Sequence, residues 1–150
     1  MTQEHKELLL KDLCTRLPYG VKCIVTKSRI EEGQKGDMGK LVCICLEGVN
    51  CTGDIPFFSE FGNFKPYLFP MSSMTEEEFT KLKEYSGLKY DQLDLVSFQN
   101  GTYKCLNFYL SEVPSGAVIR VFDWLNTYHF DYRDLIQMGL AIDATKLNIY

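Results

Sequence analysis

Residues 40–46 read KLVCICL, an apolar run that follows a single lysine. Because the run is apolar at both odd and even positions, it predicts a strand at the centre of a sheet, covered on both faces. Before it, Val21, Cys23 and Val25 recur at every second position, which is typical of a strand with one buried face. Short strands separated by glycine-rich turns predict a small SH3-like antiparallel β unit.

An amphipathic helix precedes this β region. Leu9, Leu10, Leu13 and Leu17 recur at helical spacing and predict a helix over residues 3–16. The proline that follows Leu17 ends the helix, since a proline pushes the residue before it towards extended geometry.

A second helix is predicted after a connector at residues 65–74, which contains two prolines. Thr75 opens a capping box of the form S/T-x-x-E, and Ser73 opens an alternative one. Gly87 predicts the end of this helix. Its inner face is predicted at Phe79, Leu82 and Tyr85.

A hairpin and two further helices are predicted in the rest of the chain. Asn100-Gly101 is a strong hairpin-turn signal between the strands predicted at residues 93–99 and 102–110. Pro114 suits the first turn of the next helix. The inner face of that helix is predicted at Val118, Val121, Phe122 and Leu125. A short last helix is predicted from Asp131 to Gly139, and an edge strand in residues 140–150.

These elements together predict an α+β fold. It has an N-terminal helix, a small SH3-like antiparallel β unit, and a C-terminal helix and β-hairpin region. We expect one domain over residues 1–150, with a sub-boundary near residues 65–74 as the alternative.

The composition excludes several classes of protein. The 150 residues are 45% hydrophobic, which is too many for a disordered chain. No apolar run approaches the roughly 18 residues of a membrane span. The net charge of −4 argues against a general nucleic-acid coat, since such coats are basic. No signal-peptide pattern opens the chain, so we expect a protein of the host cytoplasm that has no membrane partner.

Little in the sequence favours catalysis or cofactor chemistry. The six cysteines include no Cys-x-x-Cys pair and are expected to be free thiols. The glycine-rich residues 33–39 lack the Gly-Lys-Ser/Thr ending of a phosphate-binding loop. We therefore predict no catalytic, cofactor-binding or metal-binding residues and no cofactor. An enzyme that uses Cys14 or His129 is the least favoured alternative.

Two sets of side chains are candidate binding sites. The first is an aromatic cluster, which is typical of a protein-binding face when exposed and of a core when buried. It comprises Phe57, Phe58, Phe61, Phe64 and Tyr67. The alternative set is basic and would bind nucleic acid on a small β-barrel. It comprises Lys22, Lys27, Arg29, Lys35 and Lys40.

Three stretches of the chain carry a resemblance to a known family. Residues 10–22 read LKDLCTRLPYGVK, residues 65–78 read KPYLFPMSSMTEEE, and residues 123–136 read DWLNTYHFDYRDLI. In this order they resemble a family of small proteins of uncharacterised function from gut Bacteroidales genomes, prophages and other mobile elements. The resemblance implies a phage or mobile-element context, and it implies no activity and no catalytic residues.

The favoured function is that of a non-enzymatic, protein-binding accessory protein of a phage or mobile element. Inhibition of a host defence system is the specific role considered. The expected partner is a host or phage protein, and nucleic acid is the alternative partner. The oligomeric state is not predicted.

Overall fold

A computed structural model describes residues 1–27, 34–53, 56–89, 91–98, 103–109 and 113–150. The helices are α1 (Gln3–Arg16), α2 (Glu76–Ser86) and α3 (Ser115–Thr127), with 3-10 turns at Leu17–Tyr19 and Met71–Ser73. The strands are β1 (Lys22–Val25), β2 (Met38–Ile44), β3 (Gly48–Thr52), β4 (Phe57–Glu60), β5 (Phe64–Pro70), β6 (Leu93–Phe98), β7 (Tyr103–Phe108), β8 (Phe130–Asp131) and β9 (Ile142–Asp143). These elements confirm the predicted α+β class.

The chain divides into two compact units. Unit 1 comprises Met1–Leu68 and Arg133–Tyr150, and unit 2 comprises Phe69–Tyr132. The charge is divided unevenly between them. Unit 2 has nine acidic and five basic residues, whereas unit 1 has eleven of each. The whole net charge of −4 therefore belongs to unit 2.

Unit 1 is built on an antiparallel sheet in the order β4-β3-β2-β1-β5. The first four strands form a meander, and the fifth returns to pair with the first. β9 adds a short parallel pairing to β5 at Tyr67 and Leu68. The N-terminal helix α1 has the predicted bounds, and the Thr2 hydroxyl caps it by accepting from the His5 N–H.

The core of unit 1 lies between α1 and one face of the sheet. Leu9 and Leu13 are buried on α1, and the alternate β1 residues Cys23 and Val25 are buried with them. Leu135 and the residues at 140–141 complete this cluster. The period-2 pattern of β1 therefore predicted its buried face correctly.

The β2 prediction was half right. β2 lies between β1 and β3, so it is central in the sheet. It is not covered on both faces, because the Val42 side chain is 47% exposed and Cys43 is exposed as well. A register shift between Leu41 and Cys43 interrupts the alternation there. Antiparallel sheets commonly leave one face open in this way.

The connector predicted at residues 65–74 is wrong. Most of it is β5, in which Phe64 and Leu68 enter the core and Pro66 pairs with Cys23. The buried side chains outweigh the two prolines, which strands tolerate where the ladder needs no N–H. The turn at Gly62, with φ of 95°, connects β4 to β5 without pairing them, since β4 pairs with β3 and β5 with β1.

Unit 2 contains α2, the β6–β7 hairpin, α3 and β8. The capping box forms at Thr75, whose hydroxyl accepts from the Glu78 N–H at 3.2 Å and whose N–H donates to Glu78 Oε2 at 2.7 Å. Gly87 ends α2 in the left-handed conformation, with φ of 71°. The strands β6 and β7 pair antiparallel as predicted. The Asn100-Gly101 turn lies outside the described residues.

The inner faces of α2 and α3 differ in part from the prediction. On α2, Phe79 and Leu82 are buried but Tyr85 is 54% exposed. On α3, Phe122 was predicted to be buried but is 38% exposed. Trp124, which was not in the predicted inner face, is buried in the core. Helical periodicity does not distinguish buried from exposed residues at the edge of an apolar stripe, so the burial of such residues is predicted wrongly.

The last predicted helix does not form. Phe130 and Asp131 are β8, which pairs parallel with Phe69 and Pro70, and residues 132–139 are turns. Asp134 has a φ of 59°, a left-handed conformation that interrupts a right-handed helix. The edge strand predicted in residues 140–150 is reduced to the two residues of β9.

Candidate binding groove

An open groove of about 670 Å³ runs over unit 1. Its walls come from β1, from β2 and the two residues before it, from the end of β3, and from the C-terminal segment. The lining residues are Lys22, Gly36, Asp37, Met38, Gly39, Lys40, Thr52, Gly53, Asn148 and Ile149. Two ammonium groups therefore share one groove with the Asp37 carboxylate, neutral polar groups and a methionine.

The two lysines lie side by side in the sheet. Lys22 on β1 is the direct antiparallel partner of Lys40 on β2, and both side chains are exposed. Neither has an ion pair with any residue that the structure describes. Like charges directly opposite each other on paired strands are destabilising. Among the described residues, the groove therefore holds two ammonium groups that have no ion pair.

Gly20 explains how the Lys40 side chain is placed. A Cβ at position 20 would lie 1.9 Å from Lys40 Cε, so any side chain there would displace the lysine. Gly20 also has a φ of 69°, which favours glycine. The lysine stem thus lies across the bare backbone that ends the Leu17–Tyr19 turn.

Tyr150 ties the C-terminal segment to the sheet. Its hydroxyl accepts from the Lys22 N–H at 3.0 Å and donates to the Tyr67 carbonyl at 2.9 Å. Lys22 and Tyr67 would form the next β1–β5 pair after Cys23 and Pro66, so the hydroxyl bridges the two strands. Burial raises the pKa of Tyr150 well above its ordinary value, which keeps the hydroxyl protonated as a donor.

The same segment fixes the Lys22 ammonium. Lys22 Nζ donates to the Ile149 carbonyl and lies 5.6 Å from the centre of the Tyr150 ring. A carbonyl and an aromatic face both stabilise a cation without neutralising it. Lys22 is therefore held in place while its charge stays available.

Gly39 lines the groove directly above two buried core cysteines. A Cβ at Gly39 would lie 2.6 Å from the Thr52 carbonyl oxygen and 3.0 Å from Cys51 Cβ, so position 39 has no room for a side chain. The hydrogen bond between the Cys23 and Cys51 thiols, together with burial, raises the pKa of Cys23, and the same hydrogen bond lowers the pKa of Cys51. These thiols are part of the core.

The basic set predicted from sequence is only partly brought together. Lys22 and Lys40 line the groove, whereas the exposed Lys27 and Lys35 do not. Arg29 lies outside the described residues. The sequence analysis missed Thr52, Asn148 and the Ile149 carbonyl as lining groups. No short motif joins them to the lysines, because Lys22 and Ile149 are 127 residues apart.

The predicted aromatic set is largely core. Phe57, Phe64 and Tyr67 are 9%, 2% and 4% exposed, so they cannot form an exposed face. Phe58 and Phe61 are half-buried, and the Phe61 ring lies 5.8 Å from that of Phe64. On β4 alternate residues are buried, whereas β5 is buried at three consecutive positions, so Phe64 and Tyr67 are buried on opposite faces of that strand. A role for Phe58 and Phe61 in binding a protein stays a prediction.

A different apolar surface lies on α3 of unit 2. Ile119 is 62% exposed and Phe122 is 38% exposed, and residues three apart are neighbours on a helix. The ring of Tyr132 lies 5.1 Å from that of Phe122, and its hydroxyl donates to Asn126 Oδ1 at 3.0 Å. We call Ile119, Phe122 and Tyr132 the α3 strip.

The helix that carries the α3 strip is anchored in unit 2. Arg120 donates to the Ser86 carbonyl of α2 through Nε at 2.9 Å and through Nη2 at 2.7 Å. Val121 and Leu125, on the other side of the helix, are fully buried. The strip is therefore displayed on a fixed element.

The described residues contain no group of three or more His, Cys, Asp or Glu side chains that could hold a metal ion. Cys14 is exposed on α1, and His129 is buried in unit 2. In the same part of the chain, no helix has both the length and the apolar character needed to cross a membrane.

Comparison with protein-family models, with curated proteins and with solved structures finds no match to this chain. The function is therefore inferred from the groove of unit 1 and the α3 strip of unit 2.

Proposed function

We propose that this protein is a non-enzymatic binding protein of a phage or mobile element and that it acts on a host or phage protein. The observation that carries the proposal is the α3 strip, in which Ile119 and Phe122 are exposed beside the Tyr132 ring. Inhibition of a host defence system is the role that fits the implied mobile-element context.

The chemistry of the α3 strip suits a protein partner. Aromatic residues are enriched at the centres of protein interfaces and contribute much of the binding energy there. The Phe122 and Tyr132 rings support each other, so little side-chain freedom is lost when a partner covers them. Ile119 extends the same face by one turn of α3.

The charge of unit 2 indicates the kind of partner. Because unit 2 holds nine acidic and five basic residues, it carries a net negative charge. A negative surface steers association with a basic partner and disfavours nucleic acid. A basic protein surface, such as the nucleic-acid-binding face of a host protein, therefore fits best.

The test is capture from host lysate with and without nuclease, read by mass spectrometry. Three tagged proteins are compared: wild type, Ile119→Asp, and the control Leu46→Asp. Leu46 is 77% exposed in unit 1, so the control adds the same charge to another exposed apolar position. Circular dichroism confirms that all three are folded.

We expect one near-stoichiometric basic protein with wild type, retained after nuclease treatment and with Leu46→Asp, and reduced at least about tenfold with Ile119→Asp. Capture that is equal for all three proteins would show that the α3 strip is not the binding surface. Loss of every captured protein on nuclease treatment would favour nucleic acid as the partner.

A further inference from the structure

We propose that the groove of unit 1 binds a phosphate ester, held between the Lys22 and Lys40 ammonium groups. This binding site is separate from the α3 strip and does not depend on the partner proposed for it. The shared chemistry is a phosphate group, supplied either by a free mononucleotide or by the backbone of single-stranded nucleic acid.

The charge of the groove favours an anionic ligand. Lys22 and Lys40 are register partners, and neither has an ion pair with a described residue. An anion placed between them turns a repulsive pair into two charge-assisted hydrogen bonds. Asp37, the acidic residue of the lining, forms no ion pair with either lysine, and its Oδ2 accepts from the Gln34 N–H at 2.7 Å in the turn before β2.

The placement of the two lysines leaves their ammonium groups available to a ligand. Lys22 gives one of its three ammonium hydrogens to the Ile149 carbonyl and keeps two for a ligand. Lys40 lies over Gly20, where a larger residue would push it away. The Lys22 ammonium is thus positioned before a ligand arrives, which lowers the entropic cost of binding, and the bare backbone of Gly20 leaves room for the Lys40 side chain beside it.

The size of the groove and its neutral polar groups also suit a nucleotide. A volume of about 670 Å³ is within the range of small-molecule sites and large enough for a nucleotide. The Thr52 hydroxyl and the Asn148 amide line the same groove and can bond to a sugar or base. Unit 1 has no net charge, so it does not repel an anion at long range.

The test is a titration of the full-length protein, followed by amide chemical shifts and by calorimetry. The probes are AMP, inorganic phosphate and a ten-nucleotide oligo(dT). The variants are Lys40→Gln, Lys22→Gln and the control Lys11→Gln. Lys11 is exposed on α1 and does not line the groove, so the control removes the same charge elsewhere.

We expect AMP to shift the amides of residues 22, 40 and 52 and to bind about tenfold or more weakly to Lys40→Gln, with Lys11→Gln unchanged. Tighter binding of AMP than of oligo(dT) identifies a free nucleotide as the source of the phosphate. Tighter binding of oligo(dT), with a steep dependence on salt, identifies single-stranded nucleic acid. No shift with any probe, or equal weakening by Lys40→Gln and Lys11→Gln, overturns the proposal.

Discussion

At the scale of single residues, the part of the chain that the structure describes contains a fully buried ion pair on α1. Asp12 and Arg16 on α1 are both 0% exposed, and Asp12 Oδ2 accepts from Arg16 Nε at 2.6 Å. Arg133 approaches the second carboxylate oxygen, with 3.7 Å between Nε and Oδ1. Removing one partner of a buried pair is costly, because the other charge is left without compensation in a medium of low polarity.

We therefore expect Asp12→Ala to lower the free energy of unfolding by about 3–5 kcal/mol. The measurement is urea denaturation followed by circular dichroism. The control is Glu77→Ala, which removes an exposed carboxylate that is paired with Lys81 at 2.7 Å. Solvent screens such a pair, so the control is expected to unfold like the wild type. Similar stability for Asp12→Ala and Glu77→Ala would contradict this account of unit 1.

At the scale of elements, α2 is specified by its ends. The capping box at Thr75 satisfies two backbone donors, and three glutamates occupy the positive end of the helix dipole. Gly87 then ends the helix in a conformation that other residues rarely adopt. The same features made α2 predictable from sequence, because they involve residues close together in the chain.

We expect Thr75→Ala to reduce stability by about 1 kcal/mol, because it removes the hydroxyl that caps α2. The matched control is Thr80→Ala in the interior of the same helix, where the Thr80 hydroxyl donates to the Glu76 carbonyl. Alanine has the higher helix propensity, so this control should be neutral or slightly stabilising. Thermal melts of both variants test the difference. A larger loss for Thr80→Ala would show that the cap does not stabilise α2.

Elements that depend on distant partners were predicted poorly. The strand β5 was not predicted, because its two prolines are typical of a connector. Its pairing with β1 and the burial of Leu68 can be seen only in the fold. The helix predicted from Asp131 to Gly139 failed at Asp134, whose left-handed backbone has no clear sequence signal. Tertiary packing decides both segments.

At the scale of the whole molecule, the α+β class and the N-terminal helix were predictable, but the sites were only partly so. The groove joins β1, β2 and the C-terminal segment, which are far apart in sequence. Periodicity separates inner from outer positions imperfectly, so Phe122 was placed in the core and Phe64 on a binding face. Only the fold reveals which apolar side chains remain exposed.

The two units present different surfaces. Unit 2 combines negative charge with the α3 strip. Unit 1 combines no net charge with two groove lysines that have no ion pair among the described residues. A protein partner on unit 2 and a phosphate ligand on unit 1 therefore require different chemistry. Each proposal can fail without the other.

The central claim is that a partner protein covers the α3 strip. Site-specific photo-crosslinking in host cells tests it most directly, with a photoreactive phenylalanine analogue in place of Phe122 and, as the control, in place of Leu46. We predict a discrete crosslinked protein band from position 122 and none from position 46, since only the former lies in the proposed interface. A band from position 46 alone, or the same bands from both positions, would contradict the claim.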